Sequence, residues 1–121
     1  MPNHGFALFF ILYEEERGET ILINMIPIIL DSHTFLAISV RLPKTNLLAV
    51  ASEKGYIMCG ALDVGLLNEK LSDRKILAGR ATGVKSIEEL LDAPLESVTW
   101  EAEAMGIYPG MIGKEALIKM I

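Results

Sequence analysis

Between Ile26 and Cys59 the apolar residues recur with a period near two, and clusters of turn formers interrupt them at regular intervals. "PIIL" ends at "DSHT", and "FLAISVRL" follows as the clearest strand in the chain. Its alternation puts Leu36, Ile38, Val40 and Leu42 on one side and Phe35, Ala37, Ser39 and Arg41 on the other. The first set is wholly aliphatic and predicts the core face; the second is mixed. "PKTN" turns the chain, "LLAVAS" reads as a strand, "EKG" as a tight connection and "YIMC" as a hairpin partner, which makes an antiparallel set.

After Cys59 the period lengthens to about three and a half. Val64, Leu67 and Leu71 form a stripe that Leu62 and Leu66 widen, predicting a helix over 61–72 that is apolar around most of its circumference. Asp63 falls in its first turn, where the helix dipole favours a carboxylate. Gly65 inside it costs about 1 kcal/mol relative to Ala and predicts close packing. "SDRK" ends the helix and "ILAGRA" reads as a strand, so strand, helix and strand make a parallel crossover. Ser86 and Glu89 have capping-box spacing ahead of Leu90 and Leu91. Asp92 and Pro94 stop that helix and start another, with Leu95, Val98, Ala102 and Met105 as its stripe and Gly106 as its end. "YPG" turns the chain, and "KEALIKMI" closes it with Ala116, Leu117, Met120 and Ile121 as an apolar face. The predicted class is α+β (α/β mixed): one domain, a mixed and mostly antiparallel sheet of about five strands, one βαβ crossover, and C-terminal helices packed on the sheet.

Composition narrows the function. The chain has 121 residues, 51% of them hydrophobic, and a net charge of -5. Its Lys and Arg are scattered singly, which argues against a nucleic-acid partner. One cysteine, with only His4 and His33 beside it, makes neither an internal disulfide nor a thiolate-rich metal site, and a reducing cytoplasm is the simplest compartment. Residues 1–24 differ from the rest: "GFALFFILY" runs into "EEERGE" and then into "ILINMIPIIL". Neither apolar run is long enough to span a bilayer, and a signal peptide's basic start and small-residue cleavage site are missing. "EEERGE" is what a purine-rich ribosome-binding site spells when translated, so 1–24 reads as a leader-like segment from a mis-assigned start, and the natural chain is expected to begin near Leu22 to Met25. The glutamates there leave residues 25–121, the domain proper, at -2. The opposing reading has the first apolar run native and holding the protein at a membrane; the expectation here is no membrane.

Cys59 opens the search for chemistry. If it closes a strand and Gly60 lets the backbone turn, its sulfur lies near a helix N-terminus, whose partial positive charge favours a thiolate. Free cysteine also packs as a small buried apolar group. A catalytic thiol needs a base, for which His33 and Lys44 are the candidates, and the amides of Gly60 and Ala61 would stabilise an oxyanion. Lys44, Thr45 and Asn46 put an amine, a hydroxyl and an amide on one loop, suited to a polar or anionic ligand, although each is also ordinary turn chemistry. Arg80 in "AGRATG" sits between small neighbours, free to meet an incoming group or to pair with Asp63 or Asp73. "GMIGKE" is not a phosphate loop, because Tyr108 replaces the first glycine and Glu115 the magnesium-binding hydroxyl. No G-x-G-x-x-G follows a strand, so no dinucleotide or other cofactor is called for. Glu88, Glu89, Glu96, Glu101 and Glu103 read as solvated helix faces.

Over residues 25–121, "PKTN", "GYIMCGALD", "AGRA" and "LLDAPLESVT" occur in an order and spacing that resemble the YunC-like family, small prokaryotic proteins catalogued as a domain of unknown function. The resemblance implies a cytoplasmic, self-associating α+β or α/β domain and brings no established activity. Lys44, Asn46, Cys59, Asp63 and Arg80 carry over as motif positions only. The expected function is a homo-oligomeric binding module in which a second subunit covers the apolar helix. Its small polar or anionic ligand would sit between the "PKTN" loop, Cys59, Gly60, Asp63 and Arg80. The rival is an enzyme with Cys59 as nucleophile.

Overall fold

A computed structural model describes residues 8–14 and 19–121, with side chains from Ile23 onward. Seven strands form one sheet in sequential order: β1 (Leu8–Glu14), β2 (Glu19–Leu30), β3 (His33–Leu42), β4 (Thr45–Ala51), β5 (Gly55–Met58), β6 (Leu77–Arg80) and β7 (Ser97–Val98). All neighbours are antiparallel except β5 and β6, which α1 (Val64–Glu69) and a 3-10 turn at Ser72–Arg74 join as the crossover. Three further helices follow, α2 (Ile87–Asp92), α3 (Trp100–Ala104) and α4 (Gly113–Ile118). The class is α+β with a mixed sheet, as the sequence predicts, but the strand count exceeds five. The amino-terminal segment adds β1 by pairing Leu8–Glu14 with Met25–Glu19, and Ser97–Val98 adds the short β7.

The hairpins follow from their turn residues. Asp31 and Ser32 both take positive φ (52° and 67°) in a two-residue loop, matching the twist of β2 and β3. Pro43 and Lys44 turn β3 into β4, with Lys44 at φ 64°. Pro27, which has no N–H to give, lies in β2 beyond Met25, the last residue of β2 that β1 pairs.

The helices choose the core face of the sheet, and they choose the opposite side from the one the alternation predicts. Phe35 and Ala37 of β3 are buried together with Leu48 and Val50 of β4 and Ile57 of β5, and with Leu90, Ala116, Leu117 and Met120 of the carboxy-terminal segments. Leu36, Ile38, Val40 and Leu42 are only half-buried on the other side. The physical reason is that both faces of β3 are apolar over its first half, so alternation alone names two faces without ranking them. Small residues permit the close approach on the core side. A methyl on Gly113 would lie 2.5 Å from the Leu90 carbonyl oxygen and 2.9 Å from Ile57, and one on Gly79 would lie 2.7 Å from Leu95.

Three helical expectations are corrected. The predicted helix over 61–72 is a helix only over Val64–Glu69, where Asp63 is the N-cap and accepts from the Leu66 amide at 3.0 Å. Gly65 is exposed; a methyl there would meet nothing nearer than Asp63 Oδ1 at 3.5 Å, so close packing is not its role. The helix expected from Leu95 is interrupted by β7, because Ser97 and Val98 pair with Arg80 and Gly79, and α3 begins only after Thr99 caps it through the Ala102 amide. Val64, Leu67 and Ala78 are buried outside the main core. The register sets Ala78 level with Tyr56, on the side away from Ile57 and Gly79, so α1 covers that side at its β6 margin. No helix among the described residues is long and apolar enough to cross a membrane.

Candidate functional site

The residues proposed from sequence divide into three places. Cys59 is buried at the end of β5 on the core side, and its Sγ donates to the Asn46 backbone carbonyl at 3.9 Å. Its own carbonyl accepts from Leu62, so a turn separates it from the Asp63 cap, and the sulfur is not at a helix N-terminus. His33 opens β3 at the far end and is exposed, with Nδ1 against the Asp31 carbonyl at 2.9 Å. Cys59 meets the sheet beside Leu48, which pairs with Ser39. Six strand residues from His33 to Ser39 span about 20 Å, so His33 does not reach Cys59.

Arg80 faces the other way. The register sets it beside Met58, on the opposite side of the sheet from Ile57 and Cys59. Its Nη2 donates to the Gly60 carbonyl at 3.1 Å, and its Nη1 meets Glu96 Oε1 at 3.4 Å, where Ser97 also donates at 2.8 Å. Arg80 therefore ties the turn after β5 to β7, with Glu96 as partner in place of Asp63 or Asp73. The shared hollow expected of Cys59, Gly60, Asp63 and Arg80 does not form.

A different hollow does form, and it takes in Lys44, Thr45 and Asn46. On the core side of β3 the buried positions Phe35 and Ala37 give way to Ser39 and Arg41, and on β4 Leu48 gives way to Asn46. Register aligns Asn24 with Ser39, and Arg41 with Asn46, so a polar floor continues where the apolar core stops. The start of α2 roofs it. Ser86 caps that helix by accepting from the Glu89 amide at 3.1 Å, and Glu89 Oε1 accepts from the Lys85 amide at 2.7 Å, which fixes Lys85 at the rim. The cleft between floor and roof has a volume of about 410 Å³ and includes Glu88 on its wall. A second opening of about 480 Å³, lined by Lys44 and Thr45, shares Arg41, Asn46 and Lys85 with the first.

Cations outnumber anions around this cleft, with Glu88 the one carboxylate among the residues that line it. Arg41, Lys44 and Lys85 stand at its mouth, and among the described residues none of the three has an ion-pair partner. On β2, Asn24 also lines the cleft, and its Oδ1 is buried without a hydrogen bond. Sequence reasoning found the loop residues by their turn chemistry but missed Arg41, Asn24 and Lys85. Arg41 was the visible signal, a charge at an inward position of an otherwise apolar strand.

The fold and cleft define a small α+β domain with an open, cationic cleft between one sheet face and a helix start. The family profile described as "Domain of unknown function (DUF1805)" matches residues 58–120. The uncharacterized protein YunC of Bacillus subtilis (strain 168) is 61% identical over 100 residues, covering 83% of this chain and 99% of that protein. The chain belongs to this YunC-like family of unknown function. A crystal structure of a protein of unknown function, TA1206 from Thermoplasma acidophilum, superposes with a TM-score of 0.76 at 26% identity, covering 84% of this chain and 95% of that one.

Proposed function

We propose that the protein is a homo-oligomeric binding module that takes a small anion in the cleft under α2. The observation that carries the reading is the gathering of Arg41 from β3, Lys44 from the β3–β4 turn and Lys85 from just ahead of α2 around one opening. Like charges held together without local partners repel one another, and a bound anion relieves that repulsion while accepting from their donors. Asn46 and Thr45 add polar groups at the same mouth. Calorimetric titration with inorganic phosphate and with small carboxylates tests it. Binding that weakens at least tenfold in Arg41→Ala or Lys85→Ala, and that falls as salt rises, is the expected result; no heat with any anion overturns it.

Self-association is supported by the side of the sheet that α2 and α4 leave open. Met25, Pro27, Leu36, Ile38, Val40, Leu47, Ala49 and Met58 share it, all half-buried, while Ile29 at its margin is 73% exposed. None of these residues is charged. A second copy is the occupant that fits, because a two-fold interface needs a patch complementary to itself, and a neutral aliphatic sheet face meets that condition. Four strands of about seven residues give roughly 500 Å² in projection. Side-chain relief raises that toward the ~800 Å² per partner of a standard interface.

A further inference from the structure

We infer that the ligand of this cleft is an organic anion with a hydrogen-bond donor, a hydroxyl or an amine, on the side remote from its charge. The inference rests on the anion reading above and adds the second half of the ligand. The two ends of the cleft differ in what they offer. At the mouth, Arg41 and Lys85 carry donors only. Away from it, on β2, Asn24 lines the cleft while its carbonyl oxygen is buried with no partner, an unmet acceptor. That oxygen gives up no bond if the amide turns toward the cleft. Glu88 on the roof adds a second acceptor.

An inorganic anion satisfies the mouth and leaves Asn24 unmet. A ligand with both groups satisfies each end. The spacing follows from the strands: Asn24 is level with Ser39, and Arg41 is two residues farther along β3, about 7 Å. A chain of three or four atoms between anion and donor bridges that gap, and a volume of about 410 Å³ lies in the range of small-molecule sites.

Two matched pairs test the inference in the full chain: glycerol 3-phosphate against propyl phosphate, and 4-hydroxybutyrate against pentanoate, each measured by calorimetry. The expected result is at least tenfold tighter binding of the hydroxylated member of one pair. That preference is expected to vanish in Asn24→Leu and Asn24→Ala; thermal melts confirm that each variant is folded. Equal binding within both pairs overturns the donor requirement and leaves the anion site standing; a preference that survives in both Asn24 variants overturns Asn24 as the acceptor that reads the donor. No binding of any of the four overturns both readings.

Discussion

The thiol of Cys59 points at the backbone carbonyl of Asn46, 3.9 Å away, and so joins the end of β5 to the floor of the cationic cleft. The cysteine supports the wall of the site without opening into it, since it is 6% exposed and none of its lining. Iodoacetamide is expected to leave Cys59 unlabelled in the native protein and to label it fully in denaturant, followed by mass spectrometry. Cys59→Ala is expected to cost about 1–2 kcal/mol of stability through the small cavity it leaves. Rapid labelling of the folded chain at neutral pH would instead revive the nucleophile.

Two glycines are expected to respond with opposite signs. Gly113→Ala pushes a methyl against the Leu90 backbone carbonyl, which cannot rotate away, and should destabilise by about 1–3 kcal/mol. Gly65→Ala adds a methyl inside α1 that makes only an ordinary contact, with Asp63 Oδ1 at 3.5 Å, and should stabilise by roughly 0.5–1 kcal/mol. Urea melts of the two variants against the parent decide both, with an unchanged m-value showing that stability has changed and not the compactness of either state.

A charge at the centre of the open sheet face should separate assembly from folding. Ile38 is half-buried there, between Met25 and Ala49. Light scattering on Ile38→Lys is expected to give a monomer where the parent gives an oligomer, with the Lys ammonium reaching solvent and the monomer still folded by circular dichroism. A parent that is itself monomeric at micromolar concentration removes the oligomer from the proposal.

Removal of the leader-like segment is the fourth case. β1 stands at the edge of the sheet and pairs with β2 alone. A chain begun at Leu22 is expected to fold and to lose less than about 1 kcal/mol, so that its melting temperature falls by no more than roughly 4–8 °C for a domain of this size. A chain that fails to fold from Leu22 would make β1 part of the domain and count against a start near Leu22 to Met25.

Much of the framework was legible along the chain because it is local. The turn at Pro43 and Lys44, the cap of α2 at Ser86 and the burial of Ala116 and Leu117 on the last helix are each set by residues within a few positions of one another, and the parallel crossover between β5 and β6 follows from the order strand, helix, strand; Ile121, expected on the same buried face, is exposed. The segment at Ser97 and Val98 was not legible, since two residues are too few to distinguish a period of two from one of 3.6, and only pairing with β6 makes them a strand.

Local periods, caps and turns are short-range energies, and the order of residues alone fixed them: an α+β domain with three consecutive hairpin strands and a crossover. The tertiary structure decided which side of β3 meets the helices, sent Cys59 and Arg80 to opposite sides of one sheet, and brought Arg41 to Lys85 across more than forty positions. No short-range preference distinguishes those outcomes. They depend on which of two apolar faces the carboxy-terminal helices bury, and that choice is made by packing among residues far apart in the chain.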